Sequence, residues 1–182
     1  DRIAFAYQYL NTAVQTTDVG ISPELIIKGE VPDEYDCLGV GIDLSCGLGE
    51  KNDWTVFTLG GIFEGKIYLI DQRRCRTMGN IEKMDTLCEM LADWNILVEN
   101  DEEQFFPTMS SCVIWPEAVA YQTSFEGDFK RIIFEDRALY NLQCAPVKGF
   151  KGDKLARLRG VLGLYEKKRV IWNKWRKWDV LE

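Results

Sequence analysis

Two carboxylates in this 182-residue sequence stand where apolar, strand-like segments end. Asp43 comes near the end of the apolar run at 37–44, CLGVGIDL, and Glu117 follows the short apolar segment SCVIW at 111–115. Aspartate is a poor strand former, so Asp43 is either a turn residue that hydrogen-bonds its own backbone or a metal ligand at a sheet edge. If the two strands are parallel neighbours, about 4.8 Å apart, both side chains lie at the same edge. Two like charges that close favour a shared cation.

The residue types restrict the chemistry further. The sequence contains no histidine, which excludes Ser-His-Asp and Cys-His nucleophile systems, histidine-containing zinc sites and a histidine general base. Six cysteines, at 37, 46, 75, 88, 112 and 144, form no C-x-x-C pair and are expected to be reduced core thiols. With hard oxygen ligands, the natural metal is magnesium or manganese. Asp71, at the end of the third predicted strand, is expected to be a turn residue.

The charge is distributed unevenly along the chain. The net charge is −7, yet the segment from Lys148 to Lys177 contains eleven basic and two acidic residues. A basic cluster of this density indicates contact with phosphates. The alternative is a solvated helical face, which is what most charge runs are.

The hydrophobic pattern predicts a mixed α/β domain. Strands are predicted at 37–44, 54–63, 66–73, 111–115, 140–147 and 169–173, and helices at 2–10, 81–95, 116–136 and 152–168. The "EG" pair at 64–65 predicts a tight hairpin, so the first three strands should be antiparallel, with the fourth parallel to the first. The longest apolar runs are too short to span a bilayer, and no signal peptide opens the chain, so we expect a protein that is not secreted.

Three stretches together resemble the nuclease domain of the large terminase subunit, the DNA-packaging motor of tailed phages with herpesvirus relatives. They are GIDLSCGLGEKNDWTVFTLGGIFEGKIYLIDQRR at 41–74, CVIWPEAVAYQTSF at 112–125 and GDKLARLRGVLGLYEKKRVIW at 152–172. A strand that ends in aspartate is also the first strand of other RNase H-like nucleases and of the actin-like ATPases. The order and spacing of all three stretches carry the resemblance.

The resemblance implies an RNase H-like fold that cuts double-stranded DNA with Mg²⁺ or Mn²⁺. The family's first acid falls on Asp43 and its second on Glu117. Two metal ions about 4 Å apart would activate a water and stabilise the leaving oxygen, with Asp43 bridging the ions and Glu117 holding one. Family members carry a further acidic pair that supplies the third ligand. Asp179 lacks its context, so we expect this ligand beyond residue 182.

The family's D-K-x-x-R stretch falls on Asp153, Lys154 and Arg157, at the start of a helix beside the site. Asp153 is either a catalytic carboxylate or a helix N-cap. Lys154 is expected to contact the scissile or a neighbouring phosphate, and the predicted DNA-binding residues are Lys151, Lys154, Arg157 and Arg159.

The resemblance also implies the surroundings of the domain. Residues 1–34 would be a helix and connector that lead from an ATPase domain, and residues 35–182 would be the nuclease domain. No G-x-x-x-x-G-K-[ST] motif is present, so ATP hydrolysis would lie elsewhere in the intact protein. The expected partners are double-stranded DNA, that ATPase domain, the portal and the small terminase subunit, with no membrane. The location would be the host cytoplasm for a phage, or the nucleus for a herpesvirus-like protein.

Three alternatives remain open at this point. Another RNase H-like nuclease, such as a junction resolvase, would keep the chemistry and change the substrate. A non-catalytic DNA-binding module would explain the basic C-terminal third but not Asp43 and Glu117. An actin-like ATPase would need a second phosphate loop and an adenosine motif, neither of which the sequence shows.

Overall fold

A computed structural model describes residues 21–44, 54–76, 79–117, 122–147, 154–176 and 178. The helix predicted at 2–10, and the candidate residues Lys151 and Asp153, lie outside these ranges. Within them, no helix is long and apolar enough to cross a membrane.

The described residues form a run of four strands, followed by helices interspersed with further strands. The strands are β1 Ile27–Gly29, β2 Cys37–Asp43, β3 Thr55–Phe63, β4 Lys66–Cys75, β5 Leu97–Glu99, β6 Phe105–Pro107, β7 Cys112–Pro116, β8 Leu142–Cys144 and β9 Val170–Asn173. The helices are a 3₁₀ turn at Pro23–Leu25, α1 Asn80–Asp93, α2 Gln122–Phe129, which continues as a π-helix at Lys130–Asp136, and α3 Lys154–Glu166.

Seven of the described strands form one mixed sheet in the order β1-β9-β4-β3-β2-β7-β8. Strand β3 is antiparallel to both β2 and β4, whereas β7 runs parallel to β2 and β8 parallel to β7. The last strand, β9, runs parallel to both β1 and β4. The predicted fold class, antiparallel strands followed by parallel ones with flanking helices, is confirmed.

The hairpin between β3 and β4 follows from its two turn residues. Glu64 and Gly65 both have positive φ, at 48° and 70°, as a two-residue type I′ turn requires. Glycine adopts this conformation without steric cost. The turn sets the register of β3 and β4 from the Phe63–Lys66 pair as far as a register shift between Leu59 and Gly60.

Alternation along the strands separates two faces of the sheet. Val40 and Ile42 of β2, and Phe57 and Leu59 of β3, are buried in the main core with apolar residues of α1, α2 and the π-helix. The residues between them, including Gly41 and Asp43, therefore belong to the opposite face. A second, smaller cluster packs around Tyr165 of α3 and Trp172 of β9.

One predicted helix start is wrong. The helix expected from residue 116 begins at Gln122 among the described residues, and Pro116 instead ends β7. Strand pairing continues past that point because the Glu117 N–H donates to the Ile42 carbonyl at 2.9 Å and Glu117 bridges to Val147.

Asp71 is likewise not a turn residue. It lies inside β4, next to a register shift in the β3–β4 pairing, and its side chain is 2% exposed. Its position beyond β3, on the far side from β2, is as expected. The β-bulge explains how the strand continues past a residue that usually ends one.

Candidate active site

The two candidate carboxylates lie side by side at the ends of parallel strands. Ile42 of β2 is paired with Pro116 of β7, so Asp43 and Glu117 are the next residues on adjacent strands. Residues in register on neighbouring strands project from the same face. Both side chains line one cleft of about 470 Å³, with Asp43 exposed and Glu117 partly exposed.

The floor of this cleft is the bare backbone of β2 beside the carboxylates. A Cβ atom built on Gly41 would meet no heavy atom within 4 Å. Thr58, the partner of Gly41 on β3, lines the cleft, and its hydroxyl oxygen accepts a hydrogen bond from Gln72 at 3.3 Å. The open floor leaves room for a ligand to approach the two carboxylates.

Trp115 of β7 forms a wall of the cleft, and sequence reasoning missed it. A Cβ atom on Gly39 would lie 2.0 Å from the Trp115 ring, so the indole lies directly on that glycine while remaining 38% exposed. The signal that could have identified it is the alternating G-x-G of β2, which creates space for a large residue on the neighbouring strand.

The carboxylate pair fits a magnesium or manganese ion. Magnesium in proteins is usually held by one or two carboxylates together with waters and substrate phosphates, and two adjacent carboxylates at an open cleft match that pattern. Within the described ranges, no group of three or more His, Cys, Asp or Glu side chains is placed to hold a metal. Any ligands beyond Asp43 and Glu117 would thus come from water, substrate or the rest of the chain.

The remaining predicted site residues belong to or precede α3. This helix begins at Lys154 and includes Arg157, close to the predicted helix start, and Arg159 is exposed. Their DNA contacts stay a prediction.

Asp71 has the environment of a structural residue rather than a ligand. Its carboxylate accepts hydrogen bonds from the Trp94 indole N–H at 3.0 Å and from the Gln72 backbone N–H at 2.8 Å. It also forms ion pairs with Arg176 at 3.0 Å and Arg73 at 3.7 Å. These contacts join β4 to the end of α1 and to the segment after β9.

Comparison with solved structures shows that the fold is shared with large terminases. The large terminase of a thermophilic bacteriophage superimposes with a TM-score of 0.51 at 16% identity, covering 93% of this chain and 38% of the phage protein. Its complex with ADP gives the same TM-score and identity, covering 88% and 35%. The human cytomegalovirus terminase nuclease domain, manganese-soaked and inhibitor-bound, gives 0.48 at 10% identity, covering 96% and 76%.

The chain spans less than two fifths of the length of the thermophilic phage protein. By sequence, no family model matches it and no curated protein matches it significantly. The similarity to large terminases that the sequence motifs predicted is confirmed at the level of the fold.

Proposed function

We propose that this chain is a metal-dependent endonuclease domain of a large terminase, which cuts double-stranded viral DNA concatemers during genome packaging. The observation that carries the proposal is the placement of Asp43 and Glu117 on adjacent parallel strands, both facing one open cleft. The fold shared with the large terminase of the thermophilic phage supports it.

Each residue of the cleft has its own role in the proposed reaction. Bound Mg²⁺ or Mn²⁺ would supply activation of a water and stabilisation of the leaving oxygen. Asp43 and Glu117 attract and hold the cations, and Gly41 leaves space for a phosphodiester to approach. Trp115 limits that approach from the β7 side.

The basic residues of and near α3 complete the proposed DNA surface. Lys154, Arg157 and Arg159, with Lys151 before the helix, neutralise backbone phosphates. Asp153 is either a further catalytic carboxylate or the N-cap of α3. Contacts to phosphates carry no sequence information, which suits an enzyme that cuts at largely arbitrary positions.

The proposal extends to the surroundings of the domain. In the intact protein it works beside an ATPase domain, the portal and the small terminase subunit. Residues 1–34 lead from the ATPase domain into the nuclease domain at 35–182, and β1 near the end of this segment already pairs with β9 of the sheet. The location is the bacterial cytoplasm for a phage, or the nucleus for a herpesvirus-like virus.

Plasmid cleavage tests the function directly. We expect supercoiled plasmid to be nicked and linearised in Mn²⁺ or Mg²⁺ and left intact in EDTA. Asp43→Asn and Glu117→Gln should each reduce the rate by roughly 100-fold or more, because even outer-sphere changes at metal sites cost about 10–100-fold. Asp36→Asn, an exposed carboxylate just before the other end of β2, is the matched control and should cut normally.

Four results would contradict the proposal or a part of it. Cutting in EDTA would exclude metal dependence, and unchanged cutting by Asp43→Asn would exclude the site. Folded wild-type protein that binds DNA but never cuts it would indicate a non-catalytic DNA-binding module. A strong preference for four-way junctions over linear duplex would shift the substrate toward that of a resolvase.

A further inference from the structure

Two arginines and a tryptophan cluster at the end of the sheet that carries the carboxylates. Trp54 directly precedes β3, and Arg74 and Arg76 lie near and just beyond the end of β4. The guanidinium carbons of Arg74 and Arg76 lie 4.8 and 4.2 Å from the Trp54 ring centroid. Both arginines are exposed. We call these three residues the arginine–tryptophan cluster.

Strand register places this cluster in one row with the carboxylates. Asp43 of β2 is paired with Val56 of β3, and Val56 is paired with Arg74 of β4. Directly paired residues of antiparallel strands share a face and have Cα atoms about 4.5–5.5 Å apart. Arg74 therefore continues the face of the cleft, roughly two strand spacings from Asp43.

Arg73, the residue before Arg74, lies on the other face of the sheet and has a different role. Arg73 points to the opposite face, where it forms ion pairs with Asp71 and Asp93. The structural arginine of β4 is thus turned toward the helices, and Arg74 is turned toward the side of the sheet that carries Asp43.

The chemistry of the cluster suits a phosphodiester backbone. The face of an indole ring attracts cations, so Trp54 can hold both guanidinium groups beside each other despite their like charge. Stacking also orients the planar donors of arginine, which match phosphate oxygens in a bidentate geometry.

We infer that the arginine–tryptophan cluster binds backbone phosphates of the DNA that passes through the cleft, beside the scissile bond. This inference rests on the proposed nuclease function and adds a second set of phosphate contacts to those of α3. The two sets lie in different parts of the chain. The cluster anchors the duplex on the β4 side of Asp43.

The test measures binding of a fluorescent duplex, about two helical turns long, by anisotropy in EDTA over a series of NaCl concentrations. A plot of the logarithm of the association constant against the logarithm of salt concentration has a negative slope. In the double variant Arg74→Gln/Arg76→Gln this slope should become shallower by about 1.8, since each lost phosphate contact removes about 0.9. Affinity at low salt should fall at least about tenfold. In manganese, the KM for plasmid should rise more than kcat falls.

Two further variants separate charge from structure. Lys130→Gln/Arg131→Gln removes the same charge from exposed residues of the π-helix, on the opposite side of the sheet, and should leave the slope unchanged. Arg74→Lys/Arg76→Lys keeps the charge and should keep most of the slope.

The outcomes distinguish this inference from the proposed function. Equal salt slopes for Arg74→Gln/Arg76→Gln and Lys130→Gln/Arg131→Gln, together with normal cutting by the wild-type protein, would contradict phosphate binding by the cluster and leave the proposed nuclease function standing. A salt slope in the lysine double variant as shallow as that in the glutamine variant would overturn it as well, because retained charge would then not retain the phosphate contacts. A wild-type protein that never cuts but shows the arginine-dependent slope would contradict the nuclease and support the phosphate site.

Discussion

At the scale of single residues, two aspartates in strands have different roles because their surroundings differ. Asp43 ends β2 and is exposed at an open cleft beside Glu117. Asp71 lies within β4 and is 2% exposed, surrounded by donors from Trp94, Arg73 and Arg176. A carboxylate with that many buried partners stabilises the fold, whereas Asp43 has room to meet a ligand.

Asp71→Ala should therefore lower the free energy of unfolding by about 3–5 kcal/mol, because breaking a buried ion pair leaves uncompensated groups behind. Urea denaturation measures the change. Asp93→Ala, which removes an exposed partner of Arg73, is the control and should cost at most about 1 kcal/mol. Equal losses for the two variants would contradict a structural role for Asp71, as would a loss of cutting by the folded fraction of Asp71→Ala.

At the scale of elements, β2 carries two glycines on one face with opposite surroundings. Gly39 lies beneath the Trp115 ring, whereas Gly41 has open space where its side chain would be. The same glycine-to-alanine change at the two positions therefore separates packing from backbone effects.

Gly39→Ala should destabilise the domain by about 1–3 kcal/mol, since the new methyl group forces the indole to move. Gly41→Ala should be neutral or stabilising by up to about 1 kcal/mol, because alanine loses less backbone entropy than glycine on folding. Thermal melts of both variants measure the difference. Similar melting temperatures for the two would show that the indole does not depend on Gly39.

The elements also show which features the sequence makes visible. β2, β3, β4 and α1 were predictable because each carries its own strong pattern of apolar residues and a clear turn or loop beside it. β1, at Ile27–Gly29, was missed because its pairing partner, β9, lies more than a hundred residues away and three residues have no periodicity of their own. The helix start at 116 failed because the backbone of Glu117 pairs with β2, a contact that no local pattern encodes.

The candidate site was only partly visible from the sequence. Asp43 and Glu117 could be placed together because two strands that end in acids need only be parallel neighbours. Gly41 and Arg74 could not, since their positions depend on the strand register. For Trp115, the G-x-G of β2 indicates space on a neighbouring strand, but only the register shows which residue fills it. Register follows from the packing of the whole sheet.

At the scale of the whole molecule, buried thiols make stability depend on pH. Burial raises the pKa of Cys112 from 9.0 to about 12, and those of Cys88 and Cys144 to about 11. A folded-state pKa above the unfolded value means that the folded state favours the protonated thiol. This contribution is complete below the unfolded pKa of 9.0 and is lost as the pH rises through the folded values.

Stability in urea should consequently decline between about pH 9 and pH 12. Cys112→Ala should make that decline shallower, although the variant is less stable at neutral pH because it leaves a cavity. Iodoacetamide at mildly alkaline pH should alkylate the exposed Cys37 before the buried Cys88 and Cys112. If stability declines with pH as steeply in Cys112→Ala as in the wild-type protein, the Cys112 thiol does not cause the decline.

The place of β9 in the sheet has a consequence for biosynthesis. β9 is inserted between β1 and β4, although nearly a hundred residues separate it from β4 along the chain. On a ribosome, β2, β3 and β4 emerge long before β9, so until then Ile67 and Leu69 of β4 border an unpaired strand edge, which is a site for aggregation. β1 emerges earlier still, but it can join the sheet only with or after β9, its partner strand.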